Sequence, residues 1–177
     1  RRLVSQCGIF EYEGRFIMIT DAAINIAPDV ETQIGIVENA LPVARALGVE
    51  CPKVAVLSAV ENVTDKMPST VTAREIAERG VEGCVISGPL ALDGAISMES
   101  VKHKAIKDPV AGQADILLVP FIEIGNVLYK ACSYIAGKTM ASTICGASCP
   151  VIITSRADTP DSKYYSILMA VLRCLKA

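Results

Sequence analysis

Apolar residues along the chain fall into two kinds of run. Short β-branched runs at Leu3–Phe10, Phe16–Thr20, Lys53–Leu57, Val85–Ile86, Ile116–Val119 and Val151–Ile153 predict strands. Glu11–Arg15 joins the first two as a polar turn with Gly14 at its centre. Between them lie stretches of helical spacing. Val30, Ile34, Val37, Leu41, Ala44 and Leu47 recur at three- and four-residue steps, which predicts a helix over 30–47. Asp29 is its expected N-cap and Gly48 its stop, and Pro42 predicts a kink or a break inside it. Further helices are predicted at Ala73–Arg79, Glu123–Ala136 and Ser162–Leu175. Most strand runs are continuously apolar rather than alternating, as strands buried on both faces are. The alternation of elements predicts an α/β fold, a mostly parallel sheet with helices on both faces.

Composition narrows the partners. The 177 residues are 51% hydrophobic and 20% charged, with a net charge of −2, so no electrostatic footprint points to nucleic acid or an anionic membrane. Aromatic residues are 5% of the chain and Trp is absent, which removes base-stacking surfaces from the picture. Gly146, Pro150 and several Ser and Thr interrupt the uncharged run 139–155, so it does not read as a membrane span. Seven cysteines at irregular spacing read as reduced structural thiols in a cytoplasmic protein. Those other than Cys149 sit in apolar or small-residue surroundings, where burial is expected. No metal site is expected: Cys145 and Cys149 are four apart, but the single histidine, His103, is distant and stands among lysines.

The candidate chemistry lies at strand-to-helix junctions. Pro120 closes one strand, and Glu123, Gly125 and Asn126 stand where the next helix begins, a place where unpaired N–H groups and the positive dipole end attract anions. Thr154-Ser155-Arg156-Ala157-Asp158 follows Val151–Ile153 and precedes the last helix. An arginine fork suits phosphate, a serine hydroxyl can donate to a developing oxyanion, and an aspartate can take a proton. Asp21 and Asn25 end the first strand pair, as turn residues or as part of a cleft. Glu123, Asn126, Asp158 and Asp161 also have ordinary readings as helix-start, turn and N-cap residues.

These segments carry a resemblance. Thr20-Asp-Ala-Ala-Ile-Asn25 with Pro28-Asp29, Gly88-Pro-Leu-Ala-Leu-Asp93, Pro109-Val-Ala-Gly112, Ala114–Pro120, Glu123 with Gly125–Lys130, and Thr154–Asp158 run in order across nearly the whole chain. In that order they resemble the phosphate acetyl/butyryltransferase family, and more closely its butyryl branch. The resemblance implies an isocitrate/isopropylmalate dehydrogenase-like arrangement, two α/β lobes around a cleft. Family members have an N-terminal portion with no counterpart in residues 1–177. Roughly 20–150 would form much of one lobe, with the strand and helix of 151–177 returning to the other.

The activity implied is exchange of phosphate and coenzyme A on a short acyl group. Its substrates are acyl-CoA and phosphate, with no cofactor beyond coenzyme A as substrate and a homodimer or larger homo-oligomer as the assembly. Ser155, Arg156 and Asp161 are the implied catalytic residues, and Asn126, Gly125, Glu123, Asp21 and Asn25 the implied substrate contacts. The family's aspartate falls, counted without gaps from Arg156, on Ser162, which leaves Asp161 and Asp158 as alternatives. Phe121 and Ser87 depart from the family's usual polar or acidic residues. A non-catalytic domain that binds coenzyme A or acyl phosphate, or serves assembly, is the alternative. A nicotinamide-dependent dehydrogenase lacks support, because the chain has neither a GxGxxG fingerprint nor a tight acidic cluster.

Overall fold

The computed structural model describes residues 3–175. β1 (Ser5–Tyr12) and β2 (Arg15–Thr20) form a hairpin in which Tyr12 faces Arg15. Its two loop residues, Glu13 and Gly14, have φ of 50° and 78°. A loop positive at both positions matches the right-handed twist of the strands, and Gly14 adopts it without steric cost. α1 (Val30–Ala46), β3 (Lys53–Leu57), α2 (Pro68–Arg79) and β4 (Val85–Leu90) follow. Two short helices, α3 (Leu92–Ile96) and α4 (Met98–Lys104), lead to β5 (Ile116–Leu118) and α5 (Ile122–Lys130). A π-helical turn (Ala131–Ile135), β6 (Ala141–Cys145) and α6 (Pro160–Leu175) complete the chain.

The six strands lie in the order β4-β3-β5-β2-β1-β6. β4, β3, β5 and β2 are parallel neighbours, whereas β1 runs antiparallel to both β2 and β6. Strand residues feed two cores with a period of two. Met18, Val54, Val56, Ile116 and Leu118 pack on one face with α1, α2 and α6. Ile17, Ile19, Ala55, Leu57 and Leu117 pack on the other with α3, α4 and α5. Both faces are therefore covered, which is why these strands are apolar throughout.

Several expectations need correction. α1 runs unbroken through Pro42, because Pro42 and Glu38, whose carbonyl loses its partner, both lie on the exposed side of the helix. Asp29 does cap it, with Oδ1 accepting from Thr32 N at 2.8 Å. Val151–Ile153 is not a strand: Val151 makes a single bridge to Ile144, and the strand in this region is Ala141–Cys145, which pairs along β1. The predicted helix 123–136 keeps α-helical form only to Lys130 and then widens into the π-helical turn. Among the cysteines, Cys7 and Cys145 are buried, but Cys51 and Cys174, like Cys149, are exposed. All seven are free. No helix among the described residues is long and apolar enough to cross a membrane.

Candidate active site

β2 and β5 lie side by side, and their C-terminal ends turn into the loop 21–25 and helix α5. Gly125 is what lets α5 sit close against that loop. A Cβ there would stand 2.7 Å from the carbonyl oxygen of Asp21 and 2.9 Å from Ala22 Cα. The contact brings Asn126 within reach, and its Nδ2 donates to the Ala22 carbonyl at 3.2 Å. Asn126, Tyr129 and Lys130 share one face of the helix, as residues three and four apart do. They line a cavity of about 320 Å³ together with Ala22, Ala23 and Ile24.

The opposite wall comes from β1, β6 and the segment before α6. Gln6 and Ser142 form its inner part, and Thr154, Ser155 and Asp158 its outer part. The two strand-to-helix junctions singled out in the sequence thus meet in one cavity. Segment 155–158 folds on itself: Ser155 N donates to Asp158 Oδ2 at 2.6 Å, and Ser155 Oγ accepts from Ala157 N at 3.3 Å. Asp158 Oδ1 has no hydrogen bond among the described residues and so is free to accept. Tyr129 packs its ring over Gly8, where any Cβ would stand 2.5 Å from Cδ2. Burial and then the nearby Asp158 charge push its phenol well above the usual range, so it stays protonated and able to donate.

The sequence-predicted residues divide. Asn126 and Ser155 line the cavity, and Gly125 sets the spacing that forms it. Arg156 is exposed beside Ser155, without a hydrogen bond or ion pair among the described residues. Asp161 is exposed in the first turn of α6 and does not line the cavity; Asp158 does. Nor does Asp161 cap α6. That role belongs to Thr159, whose Oγ1 accepts from Ser162 N at 3.2 Å.

Asp21 is 2% exposed and spends its carboxylate on the loop, accepting from Ala23 N, Ile24 N, Asn25 N and Asn25 Nδ2. Asn25 Nδ2 also donates to the Val4 carbonyl. Both residues shape the loop that walls the cavity rather than facing into it. Glu123 points into a different, mostly apolar groove of about 560 Å³ beside Leu57, Ser58 and Ile124. The first N–H of α5, that of Ile122, is taken by the Ile26 carbonyl at 3.0 Å, so the cavity is met by a helix face and not by a helix N-terminus.

Lys130, Tyr129 and Gln6 were missed. The first two were legible as the i+3 and i+4 partners of Asn126, whereas nothing local marks Gln6 on its strand. The described residues contain no group of three or more His, Cys, Asp or Glu able to hold a metal ion.

A cavity joining a hydroxyl, a carboxylate, an amide and a lysine fits the chemistry that the ordered segments suggested, and comparison decides the family. Residues 1–171 match the model of the family described as "Phosphate acetyl/butaryl transferase". The chain belongs to the phosphate acetyl/butyryltransferase family. Among its relatives, the probable phosphate butyryltransferase of Bacillus subtilis (strain 168) is 48% identical over 161 residues, covering 89% of this chain and 54% of that protein. The phosphate acetyltransferase of Thermotoga maritima is 44% identical over 162 residues, covering 89% of this chain and 55% of that protein. In three dimensions, the crystal structure of a branched-chain phosphotransacylase from Enterococcus faecalis V583 superposes with a TM-score of 0.90 at 43% identity. That match covers 96% of this chain and 63% of that one. The chain therefore spans a little over half the length of these family members.

Proposed function

We propose that this chain carries a site for exchange of phosphate and coenzyme A on a short acyl group, acyl-CoA plus phosphate giving acyl phosphate plus coenzyme A. The observation that supports it is the meeting of α5 and segment 154–158 in one cavity. There, Ser155, Asp158, Asn126 and Lys130 stand around a space open to a small substrate. In the direction of thioester synthesis, the coenzyme A thiol must lose its proton before it attacks the acyl carbonyl. Its ordinary pKa near 8.5 makes a carboxylate base useful at neutral pH. Asp158, with Oδ1 unpartnered, is better placed for that step than Asp161. The Ser155 hydroxyl donates to the carbonyl oxygen as charge develops, and Asn126 and Lys130 hold the acyl phosphate. Arg156, adjacent to Ser155, closes on the phosphate oxygens from the rim.

The reaction takes coenzyme A as substrate and needs no other cofactor. Butyryl or branched-chain acyl groups are favoured over acetyl, supported by the greater identity to the butyryl relative. Residues of roughly 20–150 form much of one lobe, on whose sheet α6 also packs, and the protein acts in the cytoplasm as a homodimer or larger homo-oligomer. The test is to supply butyryl-CoA and phosphate to the wild-type, Arg156→Ala and Asp158→Asn chains. Phosphate-dependent thiol release that falls at least 100-fold in Asp158→Asn supports the reading. Release equal in all three proteins overturns the assignment.

A further inference from the structure

α6 lies along the open edge of β6, and the face it turns to that edge is rich in hydroxyls. Ser162 Oγ accepts from Met140 N at 3.3 Å and Ser166 Oγ from Ser142 N at 2.9 Å, so edge N–H groups are satisfied. Arg173 turns the same way, donating from Nη1 to Thr143 Oγ1 at 3.1 Å and to the Ile144 carbonyl at 2.8 Å. The bulky apolar residues point outward. At 3.6 residues per turn, Tyr164, Ile167, Leu168, Val171 and Leu175 fall on the side opposite Ser162 and Ser166, and they are between 40% and 77% exposed. Tyr164, Leu168, Val171 and Leu175 stand four, three and four positions apart, the seam spacing of helices that pair. With Met169 and Ala170 buried beneath, α6 is apolar on both sides, the mark of a helix that is covered.

We propose that this face docks on a second copy of the chain, α6 antiparallel to its symmetry mate about a two-fold axis. The seam spacing calls for a helix as the occupant. Beside the stripe runs a groove of about 460 Å³, whose lining includes Leu168, Leu172, Phe10 and Phe16. Ridge and hollow therefore lie side by side on one surface, and a two-fold seats each copy's ridge in the other's hollow. Stripe and groove mouth together expose roughly 700–800 Å² of apolar surface, close to the ~800 Å² that each partner contributes to a standard interface. Lipid is a poor occupant. The inner face of α6 is taken by β6, Arg173 included, which leaves Lys163 as the one cation of the described helix to meet headgroups, in a chain of net charge −2. The docking face gives the homo-oligomer proposed above its surface and is independent of acyl exchange.

The test is the mass of the chain in solution, by light scattering after size exclusion at micromolar concentration. Wild type is expected at twice the 18.7 kDa of one chain. Leu168→Asp and Val171→Asp each place an unpaired carboxylate in an apolar seam, and each should raise the dimer dissociation constant at least ~100-fold and give single-chain mass. Tyr164→Ala, a milder change at an exposed position, should raise it about 10-fold with the circular dichroism of wild type. Val63→Asp, at an exposed apolar residue of the loop after β3, should keep the wild-type mass. A dimer that persists in all three α6 variants overturns the surface and leaves self-association standing. A dimer lost in Val63→Asp as well makes the association unspecific and also overturns the surface. Wild type that runs as a single chain overturns surface and self-association together; flotation of that monomer with anionic vesicles would give the face to lipid, and no flotation would give it to another polypeptide.

Discussion

Gly125→Ala separates packing from intrinsic helix preference at the centre of the site. The new Cβ would stand 2.7 Å from the Asp21 carbonyl oxygen and 2.9 Å from both Ala22 Cα and Val119 Cγ2. Two of these three atoms are backbone and cannot rotate away. To reach the ~3.5 Å at which such contacts become favourable, α5 must withdraw by roughly 0.8 Å. The Asn126–Ala22 bond, now 3.2 Å, would then lengthen to roughly 4 Å and be lost. Overpacking of this kind costs about 1–3 kcal/mol and the lost bond about 1 kcal/mol. Alanine in place of glycine in a helix returns about 1 kcal/mol. The net loss is about 1–3 kcal/mol, which for a chain of this length lowers Tm by about 2–12 °C. Because the shift also moves Asn126, Tyr129 and Lys130 together, acyl-exchange activity should fall by up to ~100-fold, beyond what the melt explains. Thermal melts and initial rates on the two proteins check both figures. A variant as stable as wild type would refute the close-contact argument.

Other predictions address single groups. Arg156→Ala should leave Tm within about 2 °C of wild type, since a solvent-facing side chain without a partner contributes little to stability; a larger fall would mean that Arg156 is held in the fold. Thiol titration of native protein should show Cys51, Cys149 and Cys174 reacting fast and Cys7 and Cys145 only on unfolding, because burial pushes both buried thiols up, that of Cys145 to about 11. Early labelling of Cys7 by mass spectrometry would contradict this. Tyr129 has a folded pKa above its unfolded value of 10.0, so its contribution to stability is whole below pH 10 and is lost as pH rises through the folded value. Tyr129→Phe should therefore flatten the fall in stability above pH 10, measured by denaturant titration across that range; an unchanged slope would remove Tyr129 from the account.

Much of the fold was legible because its strands are apolar on both faces and its helices have clean termini. The hairpin followed from Gly14, and α1 followed from Asp29 and its apolar stripe. β6 was hidden because Ala141-Ser-Thr-Ile-Cys145 is small and polar; its place comes from pairing with β1, a long-range contact that no local pattern encodes. For the same reason Val151–Ile153 passed for a strand, although it has only Ile144 to pair with. At the site, residue type located Ser155 and Asn126, but it could not rank Asp158 against Asp161. The two acids stand three positions apart, and only the turn closed by Ser155 N and Asp158 Oδ2 turns one of them toward the cavity. Asp21 and Asn25 were read both as turn residues and as cleft residues; their hydrogen bonds show them building the loop.

The most direct measurement is phosphate-dependent release of free thiol from butyryl-CoA by the wild-type chain, followed with a chromogenic disulfide beside the Asp158→Asn and Asp161→Asn proteins. The account predicts release that needs phosphate, falls at least 100-fold in Asp158→Asn and stays within about 3-fold of wild type in Asp161→Asn. Release that ignores phosphate, or that collapses in Asp161→Asn while Asp158→Asn remains active, would contradict it.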